Sequence, residues 1–345
     1  MNSFWNKAVG GVAALLFLFS FRAAQADPTI IKMATIAPEG SSWHRVLLEM
    51  GEEWKTVSGG AVVLRIYPGG VVGDEDAMLR KMRVGQLQAA AITGMGLAFL
   101  DRSFYGLHVP MMYASDEEFD YVRDRLSPLL ENRLEEKGYV VLNWGDAGWV
   151  RFFAKDPFTH PSEMKAMKLY LGAGDAILTQ LYKEAGFRPV PISIVDMLPS
   201  LQTGLVEAFN AVPLAALAFQ WFALAPNMAD LNWSFLSGAT VIDKRAWMKI
   251  PEELRPEILK VSRDASKRLR HEIRTLNEDA VKAMVENGLK VNHISPSVEA
   301  EWRKLVEDIY PQIRGKIVPA DVFDEVRMYR DEFRSSAGHG RAMTR

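Results

Sequence analysis

Histidines and acidic residues are the side chains in this 345-residue sequence that could bind a metal or transfer protons. The six histidines are His44, His108, His160, His271, His293 and His339. None is paired with another ligand at a spacing such as HExxH, so we expect structural or surface roles for them. No acid/base pair stands at predicted strand ends, and no GxSxG elbow or phosphate loop is present. The sequence therefore predicts no metal, no cofactor and no catalytic residue, although distant segments can still combine into an active site.

One glycine-rich segment, LGAGDAI at residues 171–177, lies where a dinucleotide-binding loop would lie. It follows a predicted strand and opens a predicted helix. However, Ile177 occupies the third glycine position, and a chain exported by the N-terminal segment described below would meet little nicotinamide cofactor. We therefore interpret Gly172 and Gly174 as residues that let the backbone turn at the rim of a cleft.

Charge and cysteine content exclude several classes of protein. Lys and Arg number 41 against 43 Asp and Glu, so there is no general attraction to nucleic acid or to anionic membranes. The chain has no cysteine. This excludes disulfides, thiolate catalysis, iron–sulfur clusters and a lipoprotein anchor, which needs a cysteine to carry its lipid.

Residues 1–26 have the features of a secretory signal peptide. Lys7 precedes an apolar run at residues 8–21, and the small-x-small sequence AQA follows at 24–26. The run is shorter than the ~20 residues that span a bilayer. We predict cleavage after Ala26 and a soluble periplasmic chain without a permanent membrane anchor. The alternative, favoured by Arg22, is an uncleaved anchor.

Hydrophobic periodicity predicts an alternation of strands and helices that occurs twice. The first series comprises strands at 29–37, 61–67 and 87–93, with helices that begin at 41 or 42 and after Asp74. The second comprises strands at 139–144, 167–171 and 188–192, with helices at 174–185 and 195–206. Such series indicate an α/β fold with parallel strands and helices on both faces. Two of them indicate two lobes around a cleft, because ligands lie beyond the carboxyl ends of the strands.

The last third of the chain is predicted to be helical. Apolar positions recur at helical spacing over residues 251–288, which at ~1.5 Å per residue gives a helix of roughly 50 Å. We expect this helix to bridge the lobes. We assign residues 27–146 and 238–276 to lobe I, 147–237 and 277–333 to lobe II, and 334–345 to a loose tail. The crossings near Gly148 and Gly238 are the predicted hinges.

Several segments, taken in order, resemble the solute receptors of TRAP transporters. They are YPGG at 67–70 with GDE at 73–75 and GQL at 85–87, MKAMKL at 164–169, AGFRPVP at 185–191 and LQTGLVE at 201–207. The resemblance extends over nearly the whole chain after residue 28. It implies a two-lobed periplasmic-binding-protein fold, a small organic acid as ligand, and TRAP-type membrane permease subunits as partners.

The resemblance also implies ligand-binding residues, with departures from the family pattern. Receptors of this family commonly hold a carboxylate with two arginines and an asparagine. The first arginine position is matched to Arg151, whereas the second is Tyr170. The asparagine position is matched to Ala211, just after Phe209 and Asn210.

The remaining candidates come from the ends of predicted strands. Trp43 and Met95 lie just past the first and third strands, where side chains face a cleft. The predicted ligand-binding residues are therefore Arg151, Tyr170, Phe209, Trp43, Met95 and Asn210. A pocket with several aromatic rings and at most one cation favours an apolar or aromatic organic acid held by Arg151. Alternatives are a neutral hydrophobic or lipid-like solute, an exported α/β enzyme on the same fold, and an accessory sensor or chaperone that transports nothing.

Overall fold

The computed structural model describes residues 27–342, and the predicted signal peptide and its cleavage site lie outside them. The strands are β1 (Thr29–Thr35), β2 (Val62–Tyr67), β3 (Ala89–Thr93), β4 (Tyr139–Ala154), β5 (Lys168–Gly172), β6 (Arg188–Ile192), β7 (Ala208–Ala211), β8 (Asn227–Ala229), β9 (Ser234–Asp243) and β10 (Lys290–Asn292).

The α-helices alternate with these strands in the first two thirds of the chain and dominate the last third. They are α1 (Ser42–Val57), α2 (Glu75–Arg83), α3 (Gly94–Leu97), α4 (Asp116–Glu136), α5 (Pro161–Ala166), α6 (Ala176–Glu184), α7 (Met197–Thr203), α8 (Pro213–Ala218), α9 (Lys244–Trp247), α10 (Arg255–Glu286), α11 (Pro296–Gln312) and α12 (Ala320–Ala342). Within residues 27–342, none of the helices combines the length and the hydropathy that crossing a membrane requires.

One sheet runs through both lobes in the order β2-β1-β3-β9-β4-β7-β5-β6. Strands β1, β2 and β3 pair in parallel, as do β5, β6 and β7, because helices return the chain to the same end each time. Strands β9 and β4 are antiparallel to each other, from the pair Tyr139 and Asp243 to the pair Val150 and Ser234. The two long strands therefore continue from one lobe into the other.

The sheet has an irregular register where β4 passes between the lobes. The pairing of β4 with β9 shifts between Asp146 and Gly148, and Gly148 has a φ of 112°. A Cβ atom at Gly148 would lie 2.7 Å from the side-chain nitrogen of Asn277, so glycine serves both the positive φ and the close approach. The predicted hinge at Gly148 lies at this bulge, and its bending stays a prediction.

Helix α10 contacts the cores of both lobes along its 32 residues. Near its start, Ile258 and Val261 pack with Trp54 of α1, whose indole nitrogen donates to the Ser262 hydroxyl at 3.0 Å. Near its end, Met284 packs with residues of β7 and α8. Apolar residues at a 3.6-residue period give α10 one continuous buried stripe, so it braces the lobes as the sequence predicts.

The C-terminal helix differs from the sequence-based expectation. Val322, Phe323 and Val326 of α12 belong to the same core as α4 of the first lobe, which favours grouping α12 with lobe I. The helix also continues to Ala342, where the sequence analysis expects a loose tail from residue 334. Arg334 donates to buried Glu118 of α4 and holds this end of the helix to the body of the protein. The other lobe boundaries stay a prediction.

Candidate functional site

Three adjoining cavities fill the space between the lobes, and together we call them the cleft. The first has a volume of about 250 Å³ and extends toward α1 and α10. The second, of about 270 Å³, extends toward His108 and α6, and the third, of about 100 Å³, lies near the start of α2. Ile36, just after β1, and Tyr170, on β5, line all three, so the cavities share walls from both lobes. The carboxyl ends of the parallel strands thus open into the cleft.

The cleft is mostly apolar. Aliphatic and aromatic side chains form the walls of its two larger cavities, including Trp43, Leu47, Met50, Val150, Tyr182, Val212, Phe219, Trp221, Trp233 and Leu236. Apolar walls with a few polar groups are typical of sites that bury most of a small organic molecule. Among the described residues, no group of three or more His, Asp or Glu is arranged to hold a metal ion.

Four of the six predicted ligand-binding residues line the cleft. Trp43, Met95, Tyr170 and Asn210 are in its walls. Trp43 lies on α1, and its indole nitrogen donates to the Asp146 carbonyl oxygen at 3.3 Å, which fixes the ring beside the crossing strand β4. Burial raises the pKa of the Tyr170 hydroxyl, so this group stays protonated and able to donate. Their contact with a solute stays a prediction.

Arg151 lies outside all three cavities. Successive side chains of a strand point to opposite faces, and on β4 it is Val150 that lines the cleft. The Arg151 side chain lies on the other face and is partly buried, which lowers the pKa of its guanidinium, while the charges of Asp230 and Glu278 oppose that shift. The assignment of Arg151 to a ligand carboxylate is therefore not supported by its position.

Phe209 also lies outside the cavities, at 0% exposure in the core of the second lobe. Its ring stacks on Phe153 of β4 with centroids 5.0 Å apart and meets the edge of Trp221. Asn210, the next residue on β7, lines the cleft instead. Strand alternation again decides which of two neighbouring side chains faces a solute.

Glu75 and His108 are among the polar residues of the cleft that the sequence analysis did not select. The Glu75 carboxylate accepts from the backbone nitrogen of Thr93 at 2.6 Å and from its hydroxyl at 2.8 Å. Burial raises the pKa of Glu75 to about 7. For His108, burial lowers the pKa to about 4, so its ring is neutral. The sequence contains a signal for each residue. Glu75 belongs to GDE at 73–75, a segment that resembles the TRAP receptors. For His108, the signal is the two glycines that follow β3.

A buried ion pair lies beside the cleft and ties α4 to β4. The Asp146 side chain is completely buried and pairs with Arg123 of α4 at 3.1 Å, and its second oxygen lies 3.5 Å from Arg270 of α10. Burial raises the pKa of Asp146, while the charges of Arg123 and Arg270 oppose the rise. Because these charges compensate one another, Asp146 presents little net charge to the cleft.

Contacts between the lobes close the cleft at its rim. Asp175, the N-cap residue of α6, accepts from the guanidinium of Arg102 at 3.0 Å and from the hydroxyl of Tyr105 at 2.7 Å. Asp74 accepts from the backbone nitrogen of Ile194 at 3.3 Å. Asp74, Arg102 and Tyr105 precede the crossing strand β4, whereas Asp175 and Ile194 follow it. The segments before and after β4 therefore contact each other at the rim of the cleft.

The known proteins that this chain resembles are solute-binding proteins. The profile of the DctP family, described as bacterial extracellular solute-binding protein, family 7, matches residues 33–316. The chain is 20% identical over 313 residues to the C4-dicarboxylate-binding periplasmic protein DctP of Rhodobacter capsulatus, covering 90% of this chain and 93% of that one. It is also 20% identical over 322 residues to the sialic acid-binding periplasmic protein SiaP of Vibrio cholerae, covering 90% and 96%.

Solved structures show the same fold. A TRAP periplasmic solute binding protein from Sulfurospirillum deleyianum with bound succinate matches with a TM-score of 0.80 at 19% identity, covering 86% of this chain and 98% of that one. The sugar acid binding protein of Advenella mimigardefordensis in complex with galactonate matches with a TM-score of 0.83 at 18% identity, covering 88% and 98%. These relatives are solute-binding proteins and not enzymes.

Proposed function

Because the chain belongs to the bacterial extracellular solute-binding proteins of family 7, we propose that it is the periplasmic receptor of a TRAP-type transporter. In this role it captures a small organic solute with a mainly apolar body and delivers it to a membrane permease. The observation that carries the proposal is the cleft itself, a mostly apolar space between two lobes. Residues 1–26 serve as a signal peptide that is cleaved after Ala26.

Closure of the lobes is the step that couples capture to delivery. Contacts such as Arg102 with Asp175 exist only when the lobes meet, and a solute that touches both walls adds further contacts in that form. Binding therefore shifts the population toward the closed form, whose two-lobed surface the permease recognises. Tyr170 and Ile36 line all three cavities from opposite lobes, so they contact the solute from both sides.

Two ligand classes compete within this proposal. A solute without a carboxylate is favoured by the walls of the three cavities, which among the described residues include neither Lys nor Arg. Burying a carboxylate without a charged donor costs several kcal/mol, in order of magnitude. An apolar or aromatic organic acid is the second candidate. It is favoured by the relatives, whose solved complexes contain succinate and galactonate.

Mass spectrometry of the solute that co-purifies with the protein is the first test. The protein is expressed with its own residues 1–26, extracted from the periplasm, and measured natively and after denaturing extraction. One apolar organic molecule per chain is the expected result. The intact mass of the same sample shows whether the chain begins at Asp27. A chain that converts its bound solute to a product would instead establish the enzyme alternative.

Delivery to a permease needs a separate test. Vesicles that contain TRAP-type membrane permease subunits of the same organism are supplied with the identified solute. Uptake that requires the receptor supports the proposal. Uptake that is the same without the receptor favours the sensor or chaperone alternative.

A further inference from the structure

The hydroxyl group of Tyr182, on α6, lines the second cavity beside two hydrogen-bond donors. Burial raises the pKa of this hydroxyl, and the side-chain nitrogens of Trp233 and Asn210 oppose the rise as donors. The hydroxyl therefore stays protonated. A hydroxyl has one proton and two lone pairs, so two donors leave only its proton for a further partner. Within residues 27–342, no acceptor for this proton is found.

Ring packing fixes the direction of these groups. Trp233 is only 3% exposed, and its ring centroid lies 4.9 Å from that of Phe152 and 5.8 Å from that of Trp302. The ring of Tyr182 packs on Phe187 with centroids 5.6 Å apart. The Tyr182 hydroxyl is therefore preorganised before a solute enters, which lowers the cost of binding an acceptor there.

Tyr170 and Asn210 add donors where the two larger cavities meet, because both residues line both cavities. The Tyr170 hydroxyl is protonated and forms no hydrogen bond within the part of the chain that the structure describes. The Asn210 amide has two N–H groups, and only one of them is needed for Tyr182. The site thus offers three uncharged donors to a solute, and a group with two acceptor oxygens matches them.

The charges of the second cavity do not exclude an anion. Among the described residues that line it, Glu75 is the one acidic side chain, and no Lys or Arg is present. Burial raises the pKa of Glu75 to about 7, so this group is half protonated at neutral pH. A carboxylate bound nearby would raise that pKa further and keep Glu75 neutral. The ring of His108 in the same cavity is neutral, because burial lowers its pKa to about 4.

On the premise that the chain is the solute receptor proposed above, we propose that the cleft binds the carboxylate of a small apolar acid without any cation, through the uncharged donors of Tyr182, Tyr170 and Asn210. Hydrogen bonds to an ionised acceptor are about twice as strong as those between neutral groups, so three of them offset much of the cost of burying the charge. Trp233 positions the Tyr182 hydroxyl. The apolar body of the acid lies in the first cavity, beside Trp43. Of the two competing ligand classes, this selects the acid.

The test compares probes that share a carbon skeleton and differ only at the polar end. The protein is freed of bound solute and titrated calorimetrically at neutral pH with 3-phenylpropanoate, 3-phenylpropanamide and 3-phenylpropylamine, and then with octanoate, octanamide and octylamine. The amide offers an uncharged acceptor, whereas the ammonium group offers only donors. In at least one series, we expect the acid to bind about 10-fold or more tightly than its amide and its amine.

Two variants locate the carboxylate. Tyr182→Phe keeps the ring and removes one donor, so we expect the acid to weaken about 10-fold or more and the amine to change little. Asn210→Asp keeps the size and replaces a donor by a negative charge, so the acid should weaken about 100-fold and the amine should gain. Tyr113→Phe is the matched control, because Tyr113 is a buried tyrosine outside the three cavities. Thermal melts confirm that each variant is folded at the titration temperature.

Trp233→Phe tests the positioning role, because it removes the N–H group and keeps an aromatic ring. In the native chain, we expect the acid to weaken severalfold. In the Tyr182→Phe background we expect no further loss, because no hydroxyl remains to be oriented. An equal loss in both backgrounds would show that Trp233 acts through packing alone.

The outcomes separate this inference from the proposed function. A co-purified solute without a carboxylate, or acids that bind no tighter than their amides and amines, would overturn the inference and leave the receptor proposal standing. If neither acid binds, the inference is overturned as well. Unchanged affinity for the acid in both Tyr182→Phe and Asn210→Asp removes the carboxylate from these residues. The receptor proposal itself fails only if no solute co-purifies with the protein and no uptake depends on it.

Discussion

Of two neighbouring side chains on a strand, only one faces the cleft. This orientation decides which residues can contact a solute. The resemblance selected Arg151 on β4, whereas its neighbour Val150 lines the cavity. A shift of one residue moves a side chain to the opposite face, and a sequence match without structural register carries that ambiguity. Tyr170 on β5, which the resemblance also selected, lines the cleft, and its contact with a solute stays a prediction.

Replacing Arg151 by alanine tests its predicted role. We expect solute affinity to change less than about threefold, because Arg151 lies outside the three cavities, whereas truncating one partner of a buried charged pair costs about 2–4 kcal/mol. Affinity is measured by calorimetry with the co-purified solute, and Tyr170→Ala is the comparison that should weaken binding. A loss of 30-fold or more (roughly 2 kcal/mol) in Arg151→Ala would restore the carboxylate contact.

At Gly94, added volume would displace a side chain that lines the cleft. A Cβ atom there would lie 1.6 Å from His108 Nε2, so the imidazole ring must move. We expect Gly94→Ala to lower the free energy of unfolding by about 1–3 kcal/mol, the usual cost of overpacking, and to weaken solute binding. Urea unfolding measures the first effect. Gly145→Ala is the control, because a Cβ atom there meets nothing within 4 Å.

Glu75 makes stability depend on pH. Burial, together with the charges of Asp74 and Asp76, raises its pKa from 4.5 to about 7 in the folded state, although hydrogen bonds from Thr93 oppose the rise. The folded state thus binds more protons than the unfolded state between these values, and the contribution of Glu75 to stability falls as pH rises through this window.

Glu75→Gln does not titrate and should therefore gain stability relative to the native chain as pH rises from 5 to 8, by up to about 3 kcal/mol. Urea unfolding of both proteins at the two pH values measures this difference. The titration of His108 is common to both proteins and cancels. A difference that is independent of pH would mean that Glu75 is ionised throughout this range.

At the level of elements, the N-terminus of α6 serves two functions through one carboxylate. Asp175 Oδ1 accepts from the backbone nitrogen of Leu178 and caps the helix, while Oδ2 accepts from Arg102 and Tyr105 across the rim. The helix cap and the contact between the lobes therefore use different oxygens. The sequence predicted the start of α6 but not the contact, because Arg102 lies more than 70 residues earlier in the chain.

Asp175→Asn separates the two functions. Asparagine is as good an N-cap as aspartate, so α6 and the thermal stability should change little. The charge-assisted bond to Arg102 is lost, and we expect solute affinity to fall about 5- to 20-fold through faster release, because this contact exists only in the closed form. Stopped-flow release with the co-purified solute measures the rate. An unchanged release rate would show that the rim contact does not hold the lobes together.

At the scale of the whole molecule, local patterns predicted most elements and missed those that depend on distant partners. The two series of strands and helices and the long bridging helix follow from periodicity, and β1, β2, α1 and α10 lie where the sequence places them. Helix α4 and strand β9 were not predicted. The apolar residues of β9 do not by themselves distinguish a strand from a loop or another core segment. Its pairing with β3 and β4 defines it as a strand.

The position of β9 in the sheet also affects how the chain can fold. It lies between β3 and β4, pairing Ala89 with Ile242 and Val140 with the same residue, across long stretches of sequence. A fragment of residues 27–233 lacks this strand, and we expect it to aggregate and to give no cooperative thermal transition, as circular dichroism and size-exclusion chromatography can show. A monomeric fragment with a sharp transition would contradict this.

A chain that emerges N-terminus first therefore carries two unpaired strand edges until residue 234 follows. Non-local pairing of this kind slows folding, so the nascent protein remains unfolded for longer than its final stability would suggest. The same delay lengthens the exposure of the nascent chain to aggregation and to proteases.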